Sequence, residues 1–482
     1  MTDRAKDQTG TLGGFPDPPA PGAAVTVTCD DLDDEGAATG ELREGDGGGG
    51  GAPLRVHVAG ALPGETVLAA IDHRSPHRPE AWASLREVVV PSPHRRPPAC
   101  RAFGPCGGCV LEHLAYDEQL RWKTERVRAI AGAEPALREV PVADCVAAPR
   151  PLGYRNRSKL ACARERDGTL VLGAYAPRSH SVVDLVGGCR IAEAPLDDVA
   201  VVLRDVLARA GVVPYDERTL TGDLRHAVLR VNHRGQVLVA LVTARRAWAE
   251  GPAVAGALRV ARPEIIGVVQ NVNPSRGNAI YGAEDLLLWG AAALEDEIDG
   301  VRLRLSPRAF LQANRDVAAL AYRAIADAAR LGGSETVVDA YAGVGGIALT
   351  LAPRAFAVIG IEENGAAVDD ATASAALNGV THARFVSGDV APRLGELVQA
   401  GLRADVVVLN PPRKGCAPAV LEEVARLGPR TILYLSCDPT TLARDLGWLA
   451  GRGFRTRSLT PFDMLPHTPH IEVLAVVEFQ RQ

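Results

Sequence analysis

Between Val25 and about Val90, apolar and polar residues alternate in short runs. VTVTCDDL, PLRVHVAG, GETVLAAID and WASLREVVV each carry the period of two expected of half-buried strands, so a small five-stranded β-barrel is predicted over 22–92. The glycine run Gly47–Gly51 cannot hold a strand and reads as a flexible hairpin insertion. The period then changes. YDEQLRWKTERVRAIAGA is a polar helix, and residues 150–300 read as α+β, with strands at HAVLRVN, QVLVALVT and IIGVVQNVN and one helix near 195–210. From Leu305 onward, TVVDAYAG, FAVIGIEE, ARFVSGD, ADVVVLNPP and TILYLSCDP each look like a strand ending in a polar loop, separated by Ala/Leu-rich helical segments. That alternation predicts a doubly wound, Rossmann-like parallel sheet over 301–482, whose ligands sit at the carboxyl ends of the strands. A central domain over 93–300 and a Pro/Gly-rich, disordered lead over 1–21 complete the partition.

Composition narrows the class. At 482 residues two or three domains are expected, and 47% apolar with 23% charged residues fits a soluble globular protein. No run approaches the ~20 apolar residues of a membrane span. The first residues lack the apolar stretch of a secretory signal, so a cytoplasmic location with no membrane partner is expected, and a monomer. Nine cysteines, an odd number in such a chain, argue against a disulfide framework and for a metal cluster plus a reactive thiol. The formal charge of -5 gives nucleic-acid binding no support in bulk, but phosphate contacts are made by one face. The stretch Pro149–Lys159, with Arg150, Arg155, Arg157, Lys159 and Tyr154, suits single-stranded RNA through stacking and phosphate pairing.

The candidate chemistry gathers at the strand ends. Asp339-Ala-Tyr-Ala-Gly343-Val-Gly345-Gly346 runs straight into an apolar helix, and its glycines let a small molecule approach the main chain. The next strand ends at Glu362, placed to accept hydrogen bonds from ribose hydroxyls, and the third at Asp389, suited to an adenine. The loop lacks G-x-G-x-x-G spacing, so these two acids favour S-adenosylmethionine over NAD. Asn410-Pro411-Pro412 makes a rigid wall at the fourth strand end. Cys437, at the end of the fifth, is aimed into the crevice with a helix start beside it, a setting expected to lower its pKa. Cys416 is its rival. Glu472, in HIEV near the last strand, is the candidate base. Cys100-x5-Cys106-Gly-Gly-Cys109 and the later Cys189 suit either a structural zinc or an iron–sulfur cluster.

SCDPTTLARD with a downstream HIEV, preceded along the chain by PRAFLQAN, DAYAGVGGIALTLA and NPPRKG, resembles the RNA uracil-5-methyltransferases. VAGALPGETV and VVVPSPHRRPPAC resemble a TRAM domain and its exit, and the nearest likeness is to the iron–sulfur-bearing enzymes acting on 23S ribosomal RNA. The resemblance implies Cys437 as nucleophile and Glu472 as base. It implies that Gln312, Tyr341, Gly346, Glu362, Asp389 and Asn410 line an S-adenosylmethionine site, and that Cys100, Cys106, Cys109 and Cys189 hold a [4Fe-4S] cluster. Two positions depart from the family pattern: Asn410 stands where aspartate is usual, and Gly346 where asparagine is frequent. The chemistry explains the thiol. Uracil C5 is a poor nucleophile until a thiolate adds to C6, after which C5 accepts a methyl and a base must remove its proton. A transfer-RNA T-loop uridine is the alternative substrate, and a non-catalytic RNA-binding protein on the same fold is the alternative class.

Overall fold

A computed structural model describes residues 22–42, 53–277 and 279–480. The expectations for 1–21 and for Gly47–Gly51 lie outside the described residues. The chain forms two compact units, one running to Pro97 and including His113–Ala115, the other comprising Pro98–Glu112 and Tyr116–Gln482.

In the first unit, strands Ala24–Thr28, Asp31–Leu32, Ala38–Leu42, Leu54–Ala59, Thr66–Arg74 and Glu80–Val90 form one six-stranded sheet, first–fifth–sixth–fourth–third–second. The alternation read from sequence is the observed burial: Val56, Val58, Val67 and Ala69 point inward with no exposure. The sheet curls until its first and third strands meet. Asp30 N–H donates to the Thr39 carbonyl at 2.8 Å, and a Cβ on Gly40 would come within 2.3 Å of the Thr28 carbonyl oxygen. Only glycine fits that approach.

The second unit begins with the cysteine-bearing loop and the helix Tyr116–Ala133. A seven-stranded sheet follows, in the order Glu284–Gly290, Ile265–Val272, Val237–Thr243, Leu224–Val231, Arg157–Arg164, Leu170–Tyr175, Val182–Asp184. Two helices, Ala194–Arg209 and Gly251–Ala261, share a buried core with one face of it, where Leu203, Val254 and Leu258 join Leu229, Val239 and Leu241. The second of these helices corrects the one-helix expectation for 150–300. Strands Val237–Thr243 and Ile265–Val272 are parallel neighbours, and such a pair needs a crossover rather than a hairpin.

The hairpin Leu294–Ile298/Val301–Leu305 and helix α1 (Arg315–Ala329) lead into the C-terminal sheet, sharing a core through Leu294, Leu303, Leu305, Val317 and Ile325. Its strands are β1 (Thr336–Ala340), β2 (Ala357–Glu362), β3 (Ala383–Ser387), β4 (Val406–Leu409), β5 (Thr431–Ser436), β6 (Phe454–Phe462) and β7 (Glu472–Phe479). Helices α2 (Gly346–Leu351), α3 (Gly365–Leu377), α4 (Val390–Gln399), α5 (Pro418–Leu427) and α6 (Pro439–Ala450) connect them. The order is β3-β2-β1-β4-β5-β7-β6. The first five are parallel, as the alternation predicts; β7 runs antiparallel to β5 and to β6. That reversal decides the site. It brings the start of β7 beside the end of β5.

Candidate active site

At β1 the chain turns sharply: Tyr341, Gly343 and Gly345 all have positive φ, 69°, 54° and 85°. Tyr341 holds this left-handed conformation at a strand end, a setting in which strain is retained by the surrounding structure. Gly343 faces open space that a side chain would fill, and its N–H donates to Glu362 Oε2 at 3.0 Å. The other Glu362 oxygen accepts from Asn364 N at 2.9 Å, so the carboxylate is fixed at the end of β2. Asp389 caps α4 through Ala391 N, and its charge reaches Tyr341. Asn410 follows β4, with its N–H 3.5 Å from the Ala340 carbonyl, beside the turn. Gln312 is buried and held through its carbonyl, which accepts from Asn156 Nδ2 at 2.9 Å. Five of the six expected cofactor residues thus stand at strand ends or in the turn between β1 and α2, while Gln312 enters from the segment before α1.

Gly346, where α2 begins, has a specific neighbour. A Cβ there would lie 3.0 Å from the Tyr322 hydroxyl and 3.1 Å from its ring. Tyr322 of α1, which sequence reading passed over as one apolar position on a helix, occupies the space a side chain at 346 would need. Burial, and then the charges of Asp339 and Glu472, push its phenol upward. Asp339 was also overlooked, being read as a strand end. One carboxyl oxygen accepts from Ala348 N at 3.0 Å; the other is buried without a hydrogen-bond partner, and burial raises the group to about 7.

Ser436 of β5 pairs with Val473 of β7 at the last rung of that antiparallel ladder, so Cys437 follows β5 where Glu472 opens β7, and the Glu472 charge reaches the thiol. Glu472 is 5% exposed, and burial alone raises it to about 7. A carboxyl there holds or releases a proton near neutral pH, as a general base must. Cys437 behaves differently from expectation. Its thiol is pushed up, not down, by burial and then by Glu472, with Arg413 opposing. The helix start beside it does not win, because Asp438 caps α6, accepting from Thr441 N at 2.9 Å, and adds a negative charge next to the sulfur. Arg413, in NPPRKG, also donates to His470 Nε2 at 3.1 Å, two residues before Glu472.

The segment leading to Glu472 is pinned by residues far away in sequence. Lys123 forms a fully buried ion pair with Asp463, which also accepts from the Tyr116 hydroxyl at 2.7 Å. His467 N–H donates to Gln119 Oε1 at 3.0 Å, and the Tyr154 hydroxyl donates to the Pro466 carbonyl at 3.1 Å. Leu111, two residues past Cys109, donates to the His467 carbonyl at 3.0 Å.

The four-cysteine loop is built around close main-chain approaches. Arg101 donates to the Val186 carbonyl at 2.7 Å, and a Cβ on Gly188 would strike Arg101 Nε at 2.5 Å. Gly107, at φ 66°, packs against Pro177. Cys100, Cys106, Cys109 and Cys189 are each half-buried and near enough for their charges to interact. Among the described residues, no three His, Cys, Asp or Glu side chains are arranged to hold a single metal ion. No described helix is long and apolar enough to cross a membrane.

A seven-stranded sheet with one reversed strand, a glycine turn after β1 and acids after β2 and β3 defines a methyltransferase class of fold. Residues 299–479 match the family model described as tRNA (Uracil-5-)-methyltransferase. An RNA methyltransferase of Geobacter sulfurreducens is 41% identical over 452 residues, 92% of this chain and 89% of its own. One from Listeria innocua is 36% identical, covering 94% and 97%. Among solved structures, the tRNA (uracil-54, C5)-methyltransferase of Pyrococcus abyssi in complex with S-adenosyl-L-homocysteine superposes with a TM-score of 0.72. It is 25% identical and covers 94% of this chain and all of that one. The chain belongs to the RNA uracil-5-methyltransferase family and is an RNA methyltransferase.

Proposed function

We propose that this enzyme methylates C5 of one uridine in structured RNA, through a covalent bond between Cys437 and uracil C6. The observation that carries the reading is that Cys437 leaves β5 where Glu472 enters β7, near enough for their charges to interact, with the carboxyl buried and raised to about 7. S-adenosylmethionine supplies the electrophilic methyl. The open cradle at Gly343, the fixed Glu362 carboxylate and the unpartnered Asp339 oxygen fit such a cofactor, with Gln312, Tyr341, Gly346, Asp389 and Asn410 around it.

The residues then divide the work. Cys437, as thiolate, adds to C6 and makes C5 nucleophilic. Arg413 opposes the upward push on the thiol and favours the thiolate. Once C5 carries the methyl, Glu472 accepts the C5 proton, the C5–C6 double bond re-forms and the sulfur leaves with its electron pair. The target base must be extruded from any stem to reach Cys437.

Ribosomal RNA, 23S in particular, is the substrate we favour, on the likeness to the iron–sulfur-bearing enzymes; the likeness to the Pyrococcus abyssi enzyme favours a transfer-RNA uridine as second reading. The first unit is read as a TRAM domain, with a His57–Trp82–His73 ring stack at 5.1 and 4.6 Å as an RNA-facing surface. For Cys100, Cys106, Cys109 and Cys189 we favour a [4Fe-4S] cluster over zinc on the likeness to the iron–sulfur-bearing enzymes, four thiolates being a ligand set that suits either. Fully ligated by cysteine, it would hold the loop that meets the His467 segment rather than react.

The test uses RNA containing 5-fluorouridine, in which fluorine replaces the C5 proton and cannot be taken by a base. Incubated with labelled S-adenosylmethionine, the protein should become bound to the RNA in a complex stable to denaturation, and the bound nucleotide maps the site. No complex with ribosomal or transfer RNA would overturn the thiol mechanism.

A further inference from the structure

The central sheet has a helix-covered face and an opposite face, and the opposite face gathers cations. Arg230 and Arg157 are direct partners across adjacent antiparallel strands, and Lys159 stands opposite Val228 on the same ladder. Alternation puts Leu229 and Val231 in the helix-covered core, so Arg230 and Val228 turn the other way, where Val228, Ala240 and Val242 meet Tyr281. Arg230 is 3% exposed. Both arginines donate to one acceptor, the Ala309 carbonyl, Arg157 Nη1 at 3.4 Å and Arg230 Nη2 more closely. Further donors are left over. Arg230 Nη1, Arg157 Nε and the Tyr281 hydroxyl are all buried with no hydrogen-bond partner. The guanidinium of Arg157 also lies over the ring of Phe310, 5.9 Å from its centroid, and Phe310 is 58% exposed.

Buried donors of this kind are costly when unpaired, and more so when charged. Among the described residues, no carboxylate is hydrogen-bonded to this group. Asp296 and Asp370, whose charges reach Arg230, are engaged elsewhere, by Arg315 and His233 and by Arg304 and Ser306. Lys159 feels Arg155, Arg157 and Arg230 at once, and burial with these charges lowers it to about 8. The group lacks an anion.

We infer that Arg157, Lys159, Arg230 and Tyr281 form a pocket for one phosphodiester group of the bound RNA, beside the exposed ring of Phe310. The inference rests on the RNA-methylating reading and adds to it residues outside the Pro149–Lys159 stretch. The planar forks of two arginines and a phenol suit a tetrahedral oxyanion. The shared Ala309 carbonyl lies three residues before Gln312, so a phosphate held here fixes the strand next to the reacting site.

Arg230→Gln is the test, with a uridine-containing single-stranded RNA oligonucleotide as probe and no cofactor present. We expect affinity to fall on the order of tenfold and the slope of log K against log salt to shrink by about one. A methylphosphonate scan should find one linkage whose neutralisation weakens wild type but not the variant. Free of RNA, Arg230→Gln should melt no lower than wild type, since it removes an unpaired buried cation. A lower melting temperature with an unchanged salt slope would assign Arg230 to the fold alone and overturn the pocket, as would identical binding by the two proteins. Tyr281→Phe, which keeps the packing, should weaken binding severalfold. The 5-fluorouridine trap reports on Cys437 and binding alone reports on the pocket, so failure of one is separable from failure of the other.

Discussion

Cys416 and Cys437 border the same crevice, one in the loop after β4 and the other directly after β5, and the fold treats them in opposite ways. Cys416 is 2% exposed, and its N–H donates to Asp445 Oδ2 at 2.8 Å. The hydroxyls of Tyr341 and Tyr434 lie within hydrogen-bonding reach of its sulfur, and burial pushes the thiol to about 12. Cys437 is half-buried, with Glu472 beside it and Arg413 acting to lower it. A thiol fixed in a closed network is a structural part. One left partly open between an arginine and an acid can meet a substrate. Cys416 matters through Tyr341, whose hydroxyl it meets beside the turn after β1.

The comparison can be broken most directly at Cys437. Cys437→Ala should lower methyl transfer to RNA by on the order of 10⁴-fold or more, as loss of a covalent nucleophile does elsewhere. Retention of near-normal labelled-methyl incorporation would move the chemistry to another group, Cys416 first. Glu472→Gln should come next, slowing turnover by roughly 10²–10⁴-fold. It should also let a methylated protein–RNA adduct accumulate on denaturing gels, because the sulfur cannot leave until the C5 proton does.

The same residue gives a pH signature. In the folded chain its carboxyl is raised from 4.5 to about 7, so the base form, and with it turnover, grows as pH rises through 7. Stability moves oppositely. Below about pH 4.5 the group is neutral whether folded or unfolded and contributes nothing. Between that value and about 7 the unfolded chain ionises first, so stability falls, and above 7 the full cost of about 3 kcal/mol is present. Glu472→Gln should therefore be more stable than wild type at pH 8 and equal to it near pH 4, as denaturant titrations at the two pH values would register. The smallest effect belongs to Cys416→Ser, which should weaken S-adenosylmethionine binding roughly 2–10-fold by calorimetry, in line with disturbing one hydrogen bond. A loss as large as that of Cys437→Ala would erase the distinction.

Much of this was legible in the residues. The helix Tyr116–Ala133 coincides with the polar segment read from periodicity, and the five parallel strands fall where the apolar runs end in polar loops. Those signals are local: side-chain period and turn chemistry depend on neighbours in sequence. Helix Gly251–Ala261 was missed because GPAVAGALRVA is apolar and glycine-bearing, and only the parallel pairing around it requires a crossover. Cys437 departs in direction from the expectation, since a helix start is visible in sequence but the burial of the thiol and the approach of Glu472 are not. Tyr322 was invisible for the same reason, being one buried position among many on α1 until it met Gly346.

By itself, then, the sequence determined the order of elements, the strand-end residues and the family. It could do so because periodicity, glycine turns and motif spacing are written in consecutive residues. The tertiary structure alone decided that β7 reverses to set Glu472 against Cys437, that Lys123 pairs with Asp463 across 340 positions, and that Arg157 meets Arg230 across two strands. Charge and burial act through space. Their consequences for a proton or a phosphate exist only once distant segments share one environment.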